Sequence, residues 1–307
     1  MSPGQRRPRG AEPRRGGTGR AGAGRSRAAT TGRSPAGRPP STGDRRTGDR
    51  RDHGLGGDQV EGRRSVHVLL AAGRRPVRAV WMAEGLDPSP QLDQIEALAA
   101  RRRVRVETVA RARLETAART DAPQGVLAFA RPIEPVPLDA LVEGVDDPFL
   151  LVVDGVTDPR NLGSLLRSAE CAGVTGVVLP RHRAAHLSPT VTKVAAGAVE
   201  HLSFALVGGI PNALGRLSSL GVRSLGLAAE AKRSLYDVPV WDGPVAVVVG
   251  GEERGLAALV RRRCDEVVAI PQWGTLESLN VGVAAAVGCF EVARRRRPHP
   301  PHRSHQG

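Results

Sequence analysis

Phe149-Leu150-Leu151-Val152-Val153 sets five apolar residues in a row, and the chain turns polar at once in Asp154-Gly155-Val156-Thr157-Asp158-Pro159. A strand with one face in water alternates apolar and polar side chains. A run without alternation needs cover on both faces, as in a parallel sheet flanked by helices. Working outward, residues 176–179, 222–228, 245–249 and 267–270 repeat the pattern, and helical segments at 162–172, 189–198, 212–220 and 278–296 separate them. Gly173 closes the first helix, while Ser188 caps the second with Pro189 at its first position. The fold class is α/β, with a doubly wound parallel sheet over residues 147–296.

Upstream, residues 59–132 read as a smaller α/β domain. A helix through His67-Val68-Leu69-Leu70-Ala71-Ala72 ends at Gly73, and a strand is expected at 77–82. A helix at 91–101, a strand at 104–109, a short helix at 113–118 and a strand at 125–130 follow. Pro132, Pro135 and Pro137 then interrupt regular structure, so residues 133–146 read as a linker. Residues 1–58 and 297–307 are rich in Gly, Pro, Arg, Ser and Thr and are expected to be disordered tails, since they bury too little apolar surface to offset chain entropy.

The 307 residues carry a net charge of +14, which draws polyanions and makes nucleic acid the first partner to consider. Residues 1–60 hold fourteen Arg against five acidic residues, leaving only +5 for the rest. The N-terminal tail reads equally as an electrostatic RNA tether or as a passive solvated segment. Three cysteines without close spacing argue against a disulfide framework and a zinc site. No apolar stretch approaches the roughly 20 residues that span a bilayer, and no secretory apolar core opens the chain, so a cytoplasmic protein without membrane association is expected. An Arg-rich transit peptide is set aside because residues 1–54 contain no Leu, Ile, Val or Phe. Eight aromatic residues in all argue against a base-stacking platform of the RRM type.

In open α/β sheets ligands bind beyond the carboxyl ends of the strands, where three segments stand out. Asn161 and Arg167 follow the first apolar run; taken singly, they read as a helix cap and a surface ion-pairing residue. Gly250-Gly251-Glu252-Glu253-Arg254-Gly255-Leu256 follows the run at 245–249 and lets backbone approach a ligand closely, although alone it reads as a tight turn. Pro271 to Asn280 follows the run at 267–270, with Ser278 and Asn280 expected to start an Ala-rich helix. No G-x-G-x-x-G fingerprint and no Walker A loop accompany these strands, which weakens a nucleotide-dependent oxidoreductase.

Together the three segments resemble the signature motifs of the SpoU/TrmH branch of the knotted SPOUT methyltransferases. Asn161, Gly163 and Arg167, continued by Glu170 and Gly173, match the first motif. Gly250, Glu252, Gly255 and Leu256 match the second. Ile270, Pro271, Gly274, Ser278, Leu279, Asn280 and Val281 match the third. The resemblance extends through residues 62–130, similar to the family's small L30e-like substrate-binding domain, and covers about three quarters of the chain. Pro123, Gln272-Trp273 and Gly282 depart from the family's usual residues.

The resemblance implies a trefoil-knotted catalytic domain, a homodimer that completes the active site, and S-adenosylmethionine as methyl donor with no metal. It implies methyl transfer to a ribose 2′-hydroxyl of structured RNA. The domain order resembles that of the branch acting on a guanosine of 23S rRNA, and no DNA partner is expected. A tRNA guanosine or a 23S adenosine (antibiotic-resistance) enzyme is the enzymatic alternative, and a non-catalytic RNA-binding assembly factor is the other. Carried over residue by residue, Gly250, Ile270 and Leu279 stand where the family's backbone holds the cofactor. Asn161, Arg167, Glu252, Ser278 and Asn280 stand where it keeps catalytic and architectural polar residues. Arg167 is expected to hold a phosphate and steady charge on the ribose oxygen, with Asn161 orienting it or the ribose. Ser278 and Asn280 brace loops, and Glu252 bonds backbone amides.

Overall fold

A computed structural model describes residues 55–182, 185–239 and 243–296, so the expected tails over 1–54 and 297–307 lie outside the described residues. The sheet seeded by 149–154 has seven strands, all paired in parallel. In chain order these are β5 (Phe149–Asp154), β6 (Gly176–Pro180), β7 (Ser203–Val207), β8 (Arg223–Leu227), β9 (Arg233–Ser234), β10 (Val245–Gly250) and β11 (Glu266–Ala269). In space the order is β7-β6-β5-β10-β8-β11-β9. The unalternated runs have the cause proposed for them. Phe149, Leu151 and Val153 point into one core with Val245, Val247 and Val249, while Leu150, Val152, Ala246 and Val248 point into a second core on the other face.

Helices α4 (Pro159–Cys171), α5 (Pro189–Val194) and α8 (Val281–Arg296) cover the first face, and α6 (Ile210–Ser219) and α7 (Ala258–Arg263) cover the second. Gly163 permits the contact between α4 and α5. A Cβ there would lie 2.7 Å from Val194 Cβ and 2.9 Å from the Val191 carbonyl oxygen.

The smaller sheet has order β1-β4-β2-β3, from β1 (Gln59–Glu61), β2 (Val77–Ala83), β3 (Arg105–Val109) and β4 (Val126–Ala130). Helices α1 (Arg63–Ala72) and α2 (Pro90–Arg101) pack on one face and α3 (Arg111–Ala117) on the other. Strands β2 and β3 are parallel, whereas β4 runs antiparallel to both β1 and β2.

Four differences from the sequence reading have physical causes. Leu55, expected in the tail, is 1 % exposed and sits between two strand-like partners, its amide donating to the Ile133 carbonyl and its carbonyl accepting from Leu187. Residues 133–146, read as a linker, are strapped down: the Val136 amide donates to the Phe204 carbonyl, and Leu141 is buried. The helix expected over 189–198 stops at Val194, and Gly197 then takes φ +89° against the Val68 side chain. The last helix starts at Val281 and not at Ser278.

Cys171, Cys264 and Cys289 form no disulfide, and burial pushes the Cys264 and Cys289 thiols up to about 12, with Asp265 and Asp154 adding to the effect at Cys264. Among the described residues no helix is long and apolar enough to cross a membrane.

Candidate active site

The carboxyl ends of β5, β10 and β11 bring the three unusual segments together. Register places Asp154 beside Gly250 at the tips of β5 and β10. The Asp154 carboxylate accepts a hydrogen bond from the Ala257 amide at 2.9 Å, tying the segment after β5 to the one after β10. Asp154 was not among the predicted site residues, though its place at the end of a strand was the available signal. The turn after β10 folds back on itself, the Gly255 amide donating to the Gly251 carbonyl at 3.0 Å. A Cβ on Gly250 would come within 2.0 Å of the Gly255 backbone, so no other residue fits that position.

A cleft of about 520 Å³ opens beside this turn. Its walls include Gly250, Glu252, Ile270, Ser278, Leu279 and Asn280, six of the eight predicted site residues. Leu227 and Ala228 at the end of β8 and Glu230, Glu253 and Arg254 also line it, none of them predicted. The size and a lining that mixes exposed backbone with a few aliphatic side chains suit a small organic ligand.

The other two predicted residues sit on α4. Asp158, not Asn161, caps this helix, its side chain accepting from the Arg160 amide at 2.7 Å. Asn161 is thereby released to point sideways. Its amide Nδ2 donates to Glu252 Oε1 at 2.9 Å, and its Oδ1 accepts from Asn280 Nδ2 at 2.9 Å. Asn280 Oδ1 in turn accepts from the Gly282 amide at 2.9 Å and caps α8. One polar chain therefore runs from the second motif through the first to the third. Glu252 meets the Asn161 side chain where backbone amides were expected as its partners.

Arg167 lies six residues beyond Asn161 on the same helix, exposed, with no side-chain hydrogen bond or ion pair among the described residues. It does not line the cleft of its own chain. Ser278 and Leu279 reach the wall from the loop before α8, Leu279 with 39 % of its surface exposed. Loop residues Trp273 and Leu276 are far more exposed, at 89 % and 79 %.

Residues 148–290 match the model of the SpoU rRNA Methylase family, and residues 59–136 match that for RNA 2′-O ribose methyltransferase substrate binding. A relative from Pseudomonas putida, the 23S rRNA (guanosine-2′-O-)-methyltransferase RlmB, is 36 % identical over 243 residues, covering 78 % of this chain and 97 % of the relative. The chain belongs to the SpoU rRNA methylase family. The RlmB of Yersinia pestis is 38 % identical, with 77 % of this chain and 97 % of that one covered. Among solved structures, an RNA 2′-O ribose methyltransferase superposes with a TM-score of 0.64 at 28 % identity, covering 78 % of this chain and 88 % of that chain. The SpoU methyltransferase AviRb from Streptomyces viridochromogenes, solved in complex with AdoMet, shares the fold with a TM-score of 0.66 at 23 % identity, covering 78 % of this chain and 91 % of that one. Asn161, Glu252 and Asn280, the members of the polar chain, all lie within the matched residues 148–290.

Proposed function

We propose that this protein transfers a methyl group from S-adenosylmethionine to the ribose 2′-hydroxyl of a guanosine in 23S rRNA. The observation that carries the proposal is the cleft at the strand ends, walled by residues of two family motifs and tied to the third through Asn161. Identity of 36 % across nearly the whole length of a 23S rRNA guanosine methyltransferase supports the substrate.

S-adenosylmethionine supplies an electrophilic methyl group, so the chain's own residues have to position and steady the reacting oxygen. The cleft fits such a cofactor: Gly250 brings backbone to its wall without a side chain, and Leu227, Ile270 and Leu279 offer apolar cover. Arg167, a cation with no protein partner among the described residues, holds an RNA phosphate and stabilises negative charge developing on the ribose oxygen. Asn161, Glu252 and Asn280 hold the three segments in register, and Ser278 braces the loop.

We further propose a homodimer. Val283 and Phe290 are each 49 % exposed on α8, two turns apart, and with Leu279 give an apolar strip next to the cleft. Arg167 stands outside its own cleft, in accord with an active site completed between two copies. The trefoil knot and the L30e-like character of the smaller domain belong to the same reading. The insertion of β10 between β5 and β8 and the packing of α8 back onto α4 support the first of these. A cytoplasmic location accords with ribosomal RNA as substrate.

The test is tritiated methyl transfer to total RNA from a strain lacking the gene, with Arg167→Ala in parallel and nuclease mapping of the product. Label in 23S rRNA as 2′-O-methylguanosine, lost with the variant, is the expected result. Label confined to tRNA would overturn the substrate, and no label in any RNA would overturn the activity.

A further inference from the structure

The small sheet gathers arginines at one end. Because β2 and β3 are adjacent and parallel, the turns that lead into them from α1 and α2 lie side by side. The first turn and the start of β2 contribute Arg74, Arg75 and Arg78. The second turn and the start of β3 contribute Arg101, Arg102, Arg103 and Arg105. Antiparallel β4 ends at the same edge, so Arg131 joins them, its amide donating to the Pro76 carbonyl at 2.9 Å. The two turns touch: Arg102 Nη2 donates to the Ala71 carbonyl at 2.8 Å, and its guanidinium lies against Gly73.

Eight guanidinium groups at one end of a sheet raise the local positive potential, and few carboxylates answer them. Glu200 is engaged by Arg75 at 2.6 Å and Glu107 by Arg105 at 3.2 Å, while Glu134 shares the crevice beside Arg131. Arg78, Arg101, Arg103 and Arg131 are exposed and make no side-chain hydrogen bond or ion pair among the described residues. Arg103 also sits at φ +55°, a left-handed conformation that favours glycine, so its side chain is held at a conformational cost. Arg101 alone has an internal rationale, as a cation in the last turn of α2.

We infer that this arginine-rich end of the small sheet is a docking surface for the sugar-phosphate backbone of RNA. The inference rests on the RNA-methyltransferase reading and adds the place where the substrate is gripped away from the reacting ribose. Guanidinium forks match phosphate oxygens, and cations without protein partners are available to them without breaking a native contact. Arg74 and Arg75 are excluded from the grip, because their guanidiniums bond Glu200 and the backbone of residues 200 and 202. The surface reads no sequence; it adds affinity and orientation.

The test is nitrocellulose binding of a 23S rRNA transcript across a salt series by the full chain and by the triple variant Arg78→Gln/Arg101→Gln/Arg103→Gln. Three lost phosphate contacts make the slope of log affinity against log salt shallower by about 2, and binding at about 0.1 M salt falls roughly a hundredfold. S-adenosylmethionine affinity and the turnover number at saturating RNA stay within about twofold, the loss appearing in KM. An unchanged slope overturns the proposal, as does a change in sedimentation that shows the surface to be a protein contact. Binding is read without turnover, so a shifted slope in a protein that methylates no RNA would leave this surface standing and remove the activity.

Discussion

At Asn161 the two ends of one side-chain amide have different work. The Glu252 carboxylate only accepts hydrogen bonds, so Asn161 turns its NH2 toward it, which leaves its carbonyl for the Asn280 NH2. The Asn280 carbonyl is then free for the first amides of α8. Each link fixes the direction of the next, and reversing one would set donor against donor. Asn161→Asp, which is nearly isosteric, places a second carboxylate against Glu252 and removes the donor. The expected result is a loss of about 1 to 3 kcal/mol in the alignment of the three segments, read as a ten- to hundredfold weaker S-adenosylmethionine affinity in calorimetry. Unchanged affinity would show that the chain of amides does not shape the cleft. The residue types at these positions were legible in the sequence. Their mutual bonding was not, because Asn161 alone is a plausible cap and only Asp158 in that role releases it.

Among the elements, α4 and α5 meet at a distance that one methyl group would violate. Gly163→Ala drives a Cβ against the Val191 carbonyl, which is backbone and cannot swing away, so the helices must separate. Destabilisation of about 1 to 3 kcal/mol follows from such overpacking. For a chain of this size that lowers the melting temperature by several degrees, measurable by calorimetry. A melting temperature equal to the parent's would mean that α5 shifts freely. Strands with long apolar runs were legible because burial on both faces demands such runs. β7, Ser-Phe-Ala-Leu-Val, escaped notice because it is an edge strand flanked by no helix cap with a side chain. β1 has three residues and β9 two, too few for any period to register, and α7 has six residues and no side-chain cap.

For the whole molecule, the contact that joins the two sheets is ionic and buried. Arg75 and Glu200 have side chains 8 % and 2 % exposed, and Arg75 also donates to the carbonyls of Gly57 and Arg131. Nearby, Ser65 Oγ donates to the Thr192 carbonyl, and Lys193 donates to Thr120 and the Ala122 carbonyl. Removing one partner of a buried pair strands the other charge, so Glu200→Leu is expected to cost about 3 to 5 kcal/mol in denaturant unfolding. A cost below about 1 kcal/mol would show that the junction opens to water without penalty. The three prolines of 132–137 announced a break in regular structure, and that much was legible. The pairing of a residue near 75 with one at 200 leaves no local pattern, so the strapping of this segment was not.

The central place of β10 has a consequence in time. Strand β5 waits for a neighbour that lies 96 positions later in register, from Phe149 to Val245. At a synthesis rate of about 5 to 20 residues per second, roughly 5 to 20 seconds pass between the two. For most of that interval one edge of β5 stands open, and once β8 has been made as well, two rows of backbone amides and carbonyls await the strand that joins them. A chain paused there offers those edges to any other strand within reach, so this stretch of translation is when the nascent protein is most exposed to mispairing and has most need of a chaperone.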